Sequence, residues 1–295
     1  MSSSKVYKGI NIPPVSGGTS SIKLVKLESW DNSEQGISIV RLISNDVLKS
    51  PQLASEVITA ATSYIEEFGA QLLITASGFG YATIEPHSGE DTANKAVQDY
   101  ITHFLQHIPR KRDFDIILGI DCGPDWRGYL QDAYFIPNTA SSIVECKRAY
   151  KSFSMAHENY LFTRGRPCPE RAIDINGKIT SLLICSDLTA FSGRSVETRG
   201  EQKENWAEQL EDEVLSGSSG VVHLIHRLDT YRAGVGFKDG MNKLVSGKSS
   251  VAWVISAFRT SLYATSGDNE LEKIRKWTSR FAGPTLDLYV QETPS

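Results

Sequence analysis

Between Ile37 and Trp277 the chain alternates short aliphatic runs with longer stretches of helical spacing, and this alternation limits the fold more than any other feature. Ile37-Ser38-Ile39-Val40-Arg41-Leu42-Ile43 reads as a strand rich in β-branched residues. Pro51 to Phe68 follows with Leu53, Val57, Ile58, Ala61 and Ile65 at helical spacing, and Gly69 stands where a helix stop belongs. Gln71 to Thr75 is then a buried strand, Ala93 to Ile108 a helix and Asp115 to Ile120 a strand. Asp132 to Ile136 and Ser142 to Glu145 are expected as two further strands, paired as a hairpin. Glu201 to Leu215 reads as a helix with Trp206, Leu210 and Val214 on one face, ended by the turn Ser216 to Gly220. Val221 to Ile225 is a strand, Lys238 to Ser246 a helix, Ser250 to Ser256 a strand and Glu270 to Trp277 a last helix. Alternation of this kind predicts an α/β layered fold.

The first thirty residues differ. They carry Pro13-Pro14 and the run Ser16-Gly17-Gly18-Thr19-Ser20-Ser21, and read as a loosely ordered arm with one strand at Ile22 to Leu27. The expected organisation is an N-terminal arm over 1–30 and a single domain over 31–295, with no internal repeat.

Bulk properties exclude several function classes. A net charge of -4 offers no basic face for nucleic acid, and Arg110-Lys111-Arg112 is followed at once by Asp113. No apolar stretch approaches the roughly 18 residues a membrane span needs, and the start, Met1-Ser2-Ser3-Ser4-Lys5, lacks the apolar core of a signal peptide. Cys122, Cys146, Cys168 and Cys185 are scattered without CxxC spacing, which suggests neither a zinc site nor a disulfide framework. A reducing cytoplasm is the compartment this usage implies.

The chemically richest stretch is Gly177-Lys178-Ile179-Thr180-Ser181-Leu182-Leu183-Ile184-Cys185-Ser186-Asp187. A turn leads into an apolar run that ends on a thiol, with a carboxylate two residues later. A strand that delivers Cys185 where the backbone opens into a loop can present a nucleophile; a free cysteine can equally be a small buried hydrophobe. Two other segments join it. One is Gly69-Ala70-Gln71-Leu72-Leu73-Ile74-Thr75-Ala76-Ser77, with Gly80-Tyr81 beyond. The other is Tyr150-Lys151, followed by Glu158 and Gly165.

In that order, these segments resemble the three motifs of the nitrilase superfamily of carbon–nitrogen hydrolases, and the resemblance covers roughly Ile37 to Thr260. It implies a four-layer α-β-β-α sandwich and a dimer, with no organic cofactor and no metal. It further implies that Cys185 attacks the carbon of a small-molecule amide or nitrile. Lys151 would stabilise the oxyanion and Glu158 would help hold and polarise the site; Lys147 competes with Lys151 for the family's lysine.

The pattern departs at more than one point, and Ala190-Phe191-Ser192 stands where Pro-Glu often follows the Cys strand. The family's general-base glutamate is replaced here by Ser77, and its neighbouring proline by Ala76. A hydroxyl does not accept a thiol proton at neutral pH. Glu85, Asp121 and Glu158 are candidate replacement carboxylates, and the sequence does not rank them. Two functions follow: a thiol hydrolase with a rearranged base, or a catalytically silent module of the same fold that binds a small molecule or a partner protein.

Other features carry less. His223 and His226, three apart, point to opposite faces of a strand and make a poor metal pair. Glu85, His87 and Asp91 match no established ligand spacing. Trp126, Tyr129 and Tyr134 fit core packing as well as a pocket mouth, and Arg194 and Arg199 either recognise an acidic substrate group or are solvated.

Overall fold

The computed structural model describes residues 10–12, 21–27, 37–125, 128–153, 160–192, 208–214, 217–230, 234–246, 251–262, 269–281 and 283–293. Among these, the strands form two sheets. The larger has nine strands: β1 (Ile10–Ile12), β2 (Ser21–Lys26), β3 (Ile39–Ser44), β4 (Leu72–Thr75), β5 (Gly80–Thr83), β6 (Asp115–Gly123), β7 (Leu130–Ile136), β8 (Lys147–Tyr150) and β14 (Thr285–Thr293). Its order is β1-β2-β14-β3-β4-β6-β7-β8, with β5 pairing the outer part of β6. The second has five strands in the order β13-β12-β11-β10-β9: β9 (Ala172–Ile175), β10 (Lys178–Ile184), β11 (Gly220–Ile225), β12 (Trp253–Phe258) and β13 (Ser279–Arg280).

Three apolar layers show how the sheets stack. Val40, Leu42, Leu73, Ile116 and Leu118 of the larger sheet pack on α1 (Pro51–Phe68) and α2 (Glu90–His107). Ile39, Leu72, Ile74, Ile117, Ala133 and Ala149 face the other way, onto Leu182, Ile184, Val222, Leu224, Ile255 and Ala257 of the second sheet. Leu183, Val221, Val254 and Phe258 then meet Met241 and Leu244 of α3 (Val235–Ser246) and Leu271 and Ile274 of α4 (Asn269–Trp277). Adjacent residues of each strand belong to different layers, which is the two-residue period of a strand buried on both faces. This is the four-layer α-β-β-α sandwich.

Helix α1 begins and ends where the sequence places it. The Ser50 hydroxyl accepts from the Leu53 N–H, Pro51 opens the first turn, and Gly69 closes the helix at φ +67°. The segment 208–214 is helical, and the rest of the expected helix from Glu201 lies outside the described residues.

Several expectations need correction. Ser142 to Glu145 is not a strand: Ile143–Glu145 is a 3₁₀ turn, because Ser141 and Ser142 donate to the Glu145 carboxylate and close the chain locally. The hairpin partner of β7 is β8. The arm holds two strands, with β2 pairing β14 in the main sheet. The strand expected over Ser250 to Ser256 runs from Trp253 to Phe258, so it ends beside Arg259. Among the described residues, no helix is long and apolar enough to cross a membrane.

Candidate active site

Strands β3, β4 and β6 run parallel in one sheet, and β10, β11 and β12 run parallel in the other. A bridge between Ser44 and Arg259 brings the ends of β3 and β12 together. Open α/β sheets place their ligands outside the carboxyl ends of parallel strands. At these ends stand Ser77 after β4, Asp121 late in β6, Cys185 after β10, His226 after β11 and Arg259 after β12.

Register explains why these side chains meet. Asp121 lies opposite Tyr81 of β5 and opposite Gln131 of β7. The Lys151 N–H donates to the Gln131 carbonyl at 2.9 Å, so Lys151 continues the same row. Ile117, Ala133 and Ala149 stand in the layer between the sheets. Residues an even number away share that face, so Tyr81, Asp121, Gln131 and Lys151 face the second sheet. On β11, Val222 and Leu224 face the first sheet, and His226 follows in the same phase.

His226 Nε2 donates to Asp121 Oδ2 at 2.6 Å. The Ser77 hydroxyl donates to the other carboxylate oxygen, Oδ1, at 3.3 Å and lies 3.2 Å from His226 Nε2. Cys185 stands within hydrogen-bonding reach of the same imidazole. Burial alone would lower the His226 pKa, but the charge of Asp121, then that of Cys185, and hydrogen bonds to both outweigh it and raise the pKa to about 9. A thiol and a carboxylate therefore share one imidazole in the gap between the sheets.

His223 serves the other side of Cys185. Its Nε2 donates to the Cys185 carbonyl at 2.8 Å, and its Nδ1 lies 3.1 Å from the Ser256 hydroxyl. Burial first, with His226 adding, lowers the His223 pKa to about 3, so the ring is neutral. The two histidines do point to opposite faces of the strand, yet both reach Cys185, one through its backbone and one through its side chain. Cys185 itself has φ +48°, a left-handed conformation uncommon outside glycine. It opens a 3₁₀ turn, Cys185–Phe191, and stays partly exposed.

Asp187 holds this turn and the lysine strand together. Its carboxylate accepts from the backbone N–H groups of Ser152, Phe153 and Ile184 at 3.0, 2.7 and 3.1 Å. The buried Arg171 guanidinium meets it at 3.0 Å and also binds Glu213. The apolar run and the aspartate two residues past the thiol thus serve geometry rather than proton transfer.

The remaining candidates divide. Lys151 is fully buried in the row, whereas Lys147 is exposed at the start of β8, which separates the two lysines. Glu85 is exposed in the turn after β5 and makes no side-chain hydrogen bond among the described residues. Glu158, Trp126, Arg194 and Arg199 lie outside the described residues. Tyr134 is core. Among the described residues, no three or more His, Cys, Asp and Glu side chains form a group able to hold a metal. His226 is the residue that sequence reasoning weighed only as half of a metal pair and not as a base. The signal it gives is positional: Val221 to Ile225 ends on a histidine as Ile179 to Ile184 ends on the thiol.

The serine at position 77 suits its neighbour Asp121. A carboxylate there would stand against Asp121, two like charges in one buried space.

No family model matches the chain, and no curated protein matches it in sequence. Among solved structures, a mutant of the Nesterenkonia AN1 amidase from the nitrilase superfamily matches with a TM-score of 0.50 at 16% identity, over 77% of this chain and 80% of that one. An amidase from Nesterenkonia sp. matches with a TM-score of 0.49 at 18% identity, over 78% and 80%. The two sheets packed face to face between helical layers are thus a fold that this chain shares with an amidase of the nitrilase superfamily.

Proposed function

We propose that the protein is a thiol hydrolase of carbon–nitrogen bonds in which His226, oriented by Asp121, takes the part that a glutamate plays in the resembled family. One observation carries the reading: the same imidazole, His226, hydrogen-bonds the Asp121 carboxylate and the Cys185 side chain. A third group orients the base and the base meets the nucleophile, which is the geometric signature of an activated nucleophile.

With its pKa raised to about 9, His226 rests as an imidazolium beside the Cys185 thiolate, and the thiolate attacks the carbonyl carbon of an amide. Negative charge develops on the carbonyl oxygen, where Lys151 supplies the cation. The imidazolium gives its proton to the leaving nitrogen, the C–N bond breaks and a thioester remains on Cys185. The now neutral His226 takes a proton from water as it attacks the thioester, and acid leaves as the thiolate–imidazolium pair is restored. A nitrile follows the same course through a thioimidate. The Glu158 role, a cytoplasmic location and a homo-oligomeric state belong to this reading through the resemblance.

The test is alkylation by iodoacetamide against pH, with peptide mapping, followed by a screen of simple amides and nitriles. Burial foremost raises the thiol pKa of Cys122 to about 12 and that of Cys146 to about 11, and raises that of Cys168. Selective labelling of Cys185 at neutral pH, slowed in His226→Gln, together with turnover of an amide or nitrile supports the hydrolase. An inert Cys185 and no turnover would leave a binding module of the same fold.

A further inference from the structure

Most of the buried arginines described meet carboxylates. Arg41 and Arg275 pair with Asp287, Arg171 with Asp187 and Glu213, and Arg148 with Asp132. Arg112 spends its guanidinium on the carbonyls of Pro109 and Pro137. Arg259 differs. It follows β12 at the mouth of the site, and its hydrogen bond runs from Nε to the His226 carbonyl at 2.9 Å. No carboxylate among the described residues lies within ion-pair distance of it. A guanidinium has five N–H donors in a fixed fork. Four of those at Arg259, on the terminal nitrogens, therefore have no acceptor among the described residues.

Its position is set by the backbone. Gly78, at φ +64°, passes so close that a Cβ there would lie 2.6 Å from Asp121 Oδ2 and 3.5 Å from Arg259 Nη2. Arg259 and Asp121 therefore both stand against Gly78. A second unspent group lies nearby. Tyr81 is 4% exposed, and its hydroxyl has no hydrogen-bond partner among the described residues. It stands opposite Asp121 in the β5–β6 register. Arg259 and Asp121 are both near enough to act on the Tyr81 hydroxyl, and Cys185 is near enough to act on Arg259. A buried hydroxyl without a partner is costly, and the partly buried Arg259 guanidinium has donors to spare for a ligand.

We infer that Arg259 and Tyr81 form an anion subsite beside Cys185, and that the substrate is an amide bearing a carboxylate. A single carboxylate fits better than a phosphate dianion. The subsite offers one cation and one hydroxyl, and Asp121 stands behind it. A planar carboxylate also matches the fork of a guanidinium. The inference rests on the hydrolase reading for the word substrate; the subsite itself does not.

The experiment measures binding in Cys185→Ser, which cannot turn over. Malonamate, succinamate and glutaramate are compared by calorimetry with the neutral isosteres malonamide, succinamide and glutaramide. A charge-assisted contact predicts that at least one monocarboxylate binds about 10–100-fold tighter than its diamide. That preference falls to within about threefold when Arg259→Gln is added, and narrows with Tyr81→Phe. If Arg259→Gln lowers the melting temperature sharply, Arg259→Lys and Tyr81→Phe carry the comparison. No preference in Cys185→Ser, or a preference that survives both changes, overturns the inference. Turnover of neutral amides by the wild type without such a preference would sink the subsite and leave the hydrolase standing. Preferential binding without any turnover would do the reverse.

Discussion

The His226 imidazole and the Asp121 carboxylate meet at 2.6 Å although 105 residues separate them and they belong to different sheets. The contact joins the carboxyl end of β11 to the outer part of β6. It places a paired base and acid at the one edge where a thiol also emerges.

Removing either partner should slow hydrolysis without unfolding the protein. His226→Gln and Asp121→Asn are each expected to lower kcat/KM by about 10²–10⁴, the usual worth of a positioned general base. The double variant should lose little more than the worse single one, since the two act as a unit. Steady-state kinetics on any amide found in the screen reads both.

The two histidines predict opposite pH effects on stability. The His226 pKa is raised to about 9, so its stabilisation is complete below the reference value near 6.5 and fades as pH rises through 9. The His223 pKa is lowered to about 3, so folding keeps it neutral and stability falls as pH drops from 6.5 toward 3. Urea midpoints from pH 4 to 10 should flatten on the alkaline side in His226→Gln and on the acid side in His223→Gln.

His223 is a positioning residue, because it holds the carbonyl of a cysteine in a left-handed conformation. His223→Phe removes that donor and should slow Cys185 alkylation several-fold at fixed pH. His223→Gln, which retains an N–H, should recover part of the rate. Equal rates in both variants would make the contact incidental.

Asp187 and Arg171 form a fully buried pair that ties the thiol turn to the segment carrying Lys151. Breaking such a pair from one side costs about 3–5 kcal/mol. Arg171→Met should therefore lower the urea midpoint strongly, and an intact midpoint would contradict the arrangement.

Gly119 allows β6 to pass Ser77. A Cβ at Gly119 would lie 2.1 Å from the Ala76 carbonyl oxygen, and the Gly119 N–H donates to the Thr75 hydroxyl at 2.9 Å. Gly119→Ala should cost at least about 1–3 kcal/mol by overpacking and lower activity by shifting Ser77 and Asp121. Thermal unfolding and turnover should fall together.

Periodicity made much of this architecture readable. Aliphatic runs buried on both faces, the capped helix Pro51–Phe68 and the strand ending at Cys185 all follow from local spacing, because each is decided by neighbours within a few residues. The strands β5 and β14 and the turn at Ile143–Glu145 were not readable, since pairing partners far along the chain and local serine–glutamate bonds decided them. The sequence by itself determined the layered α/β class, the strand that ends on Cys185 and the serine that follows β4. It named Asp121 only as one carboxylate among three and His226 only as half of a metal pair. Tertiary structure alone chose between them, because register aligned Asp121 with Gln131 and Lys151 on one sheet face and the packing of the second sheet set His226 against it. Local spacing fixes which face a side chain takes; only the stacking of sheets fixes what it meets.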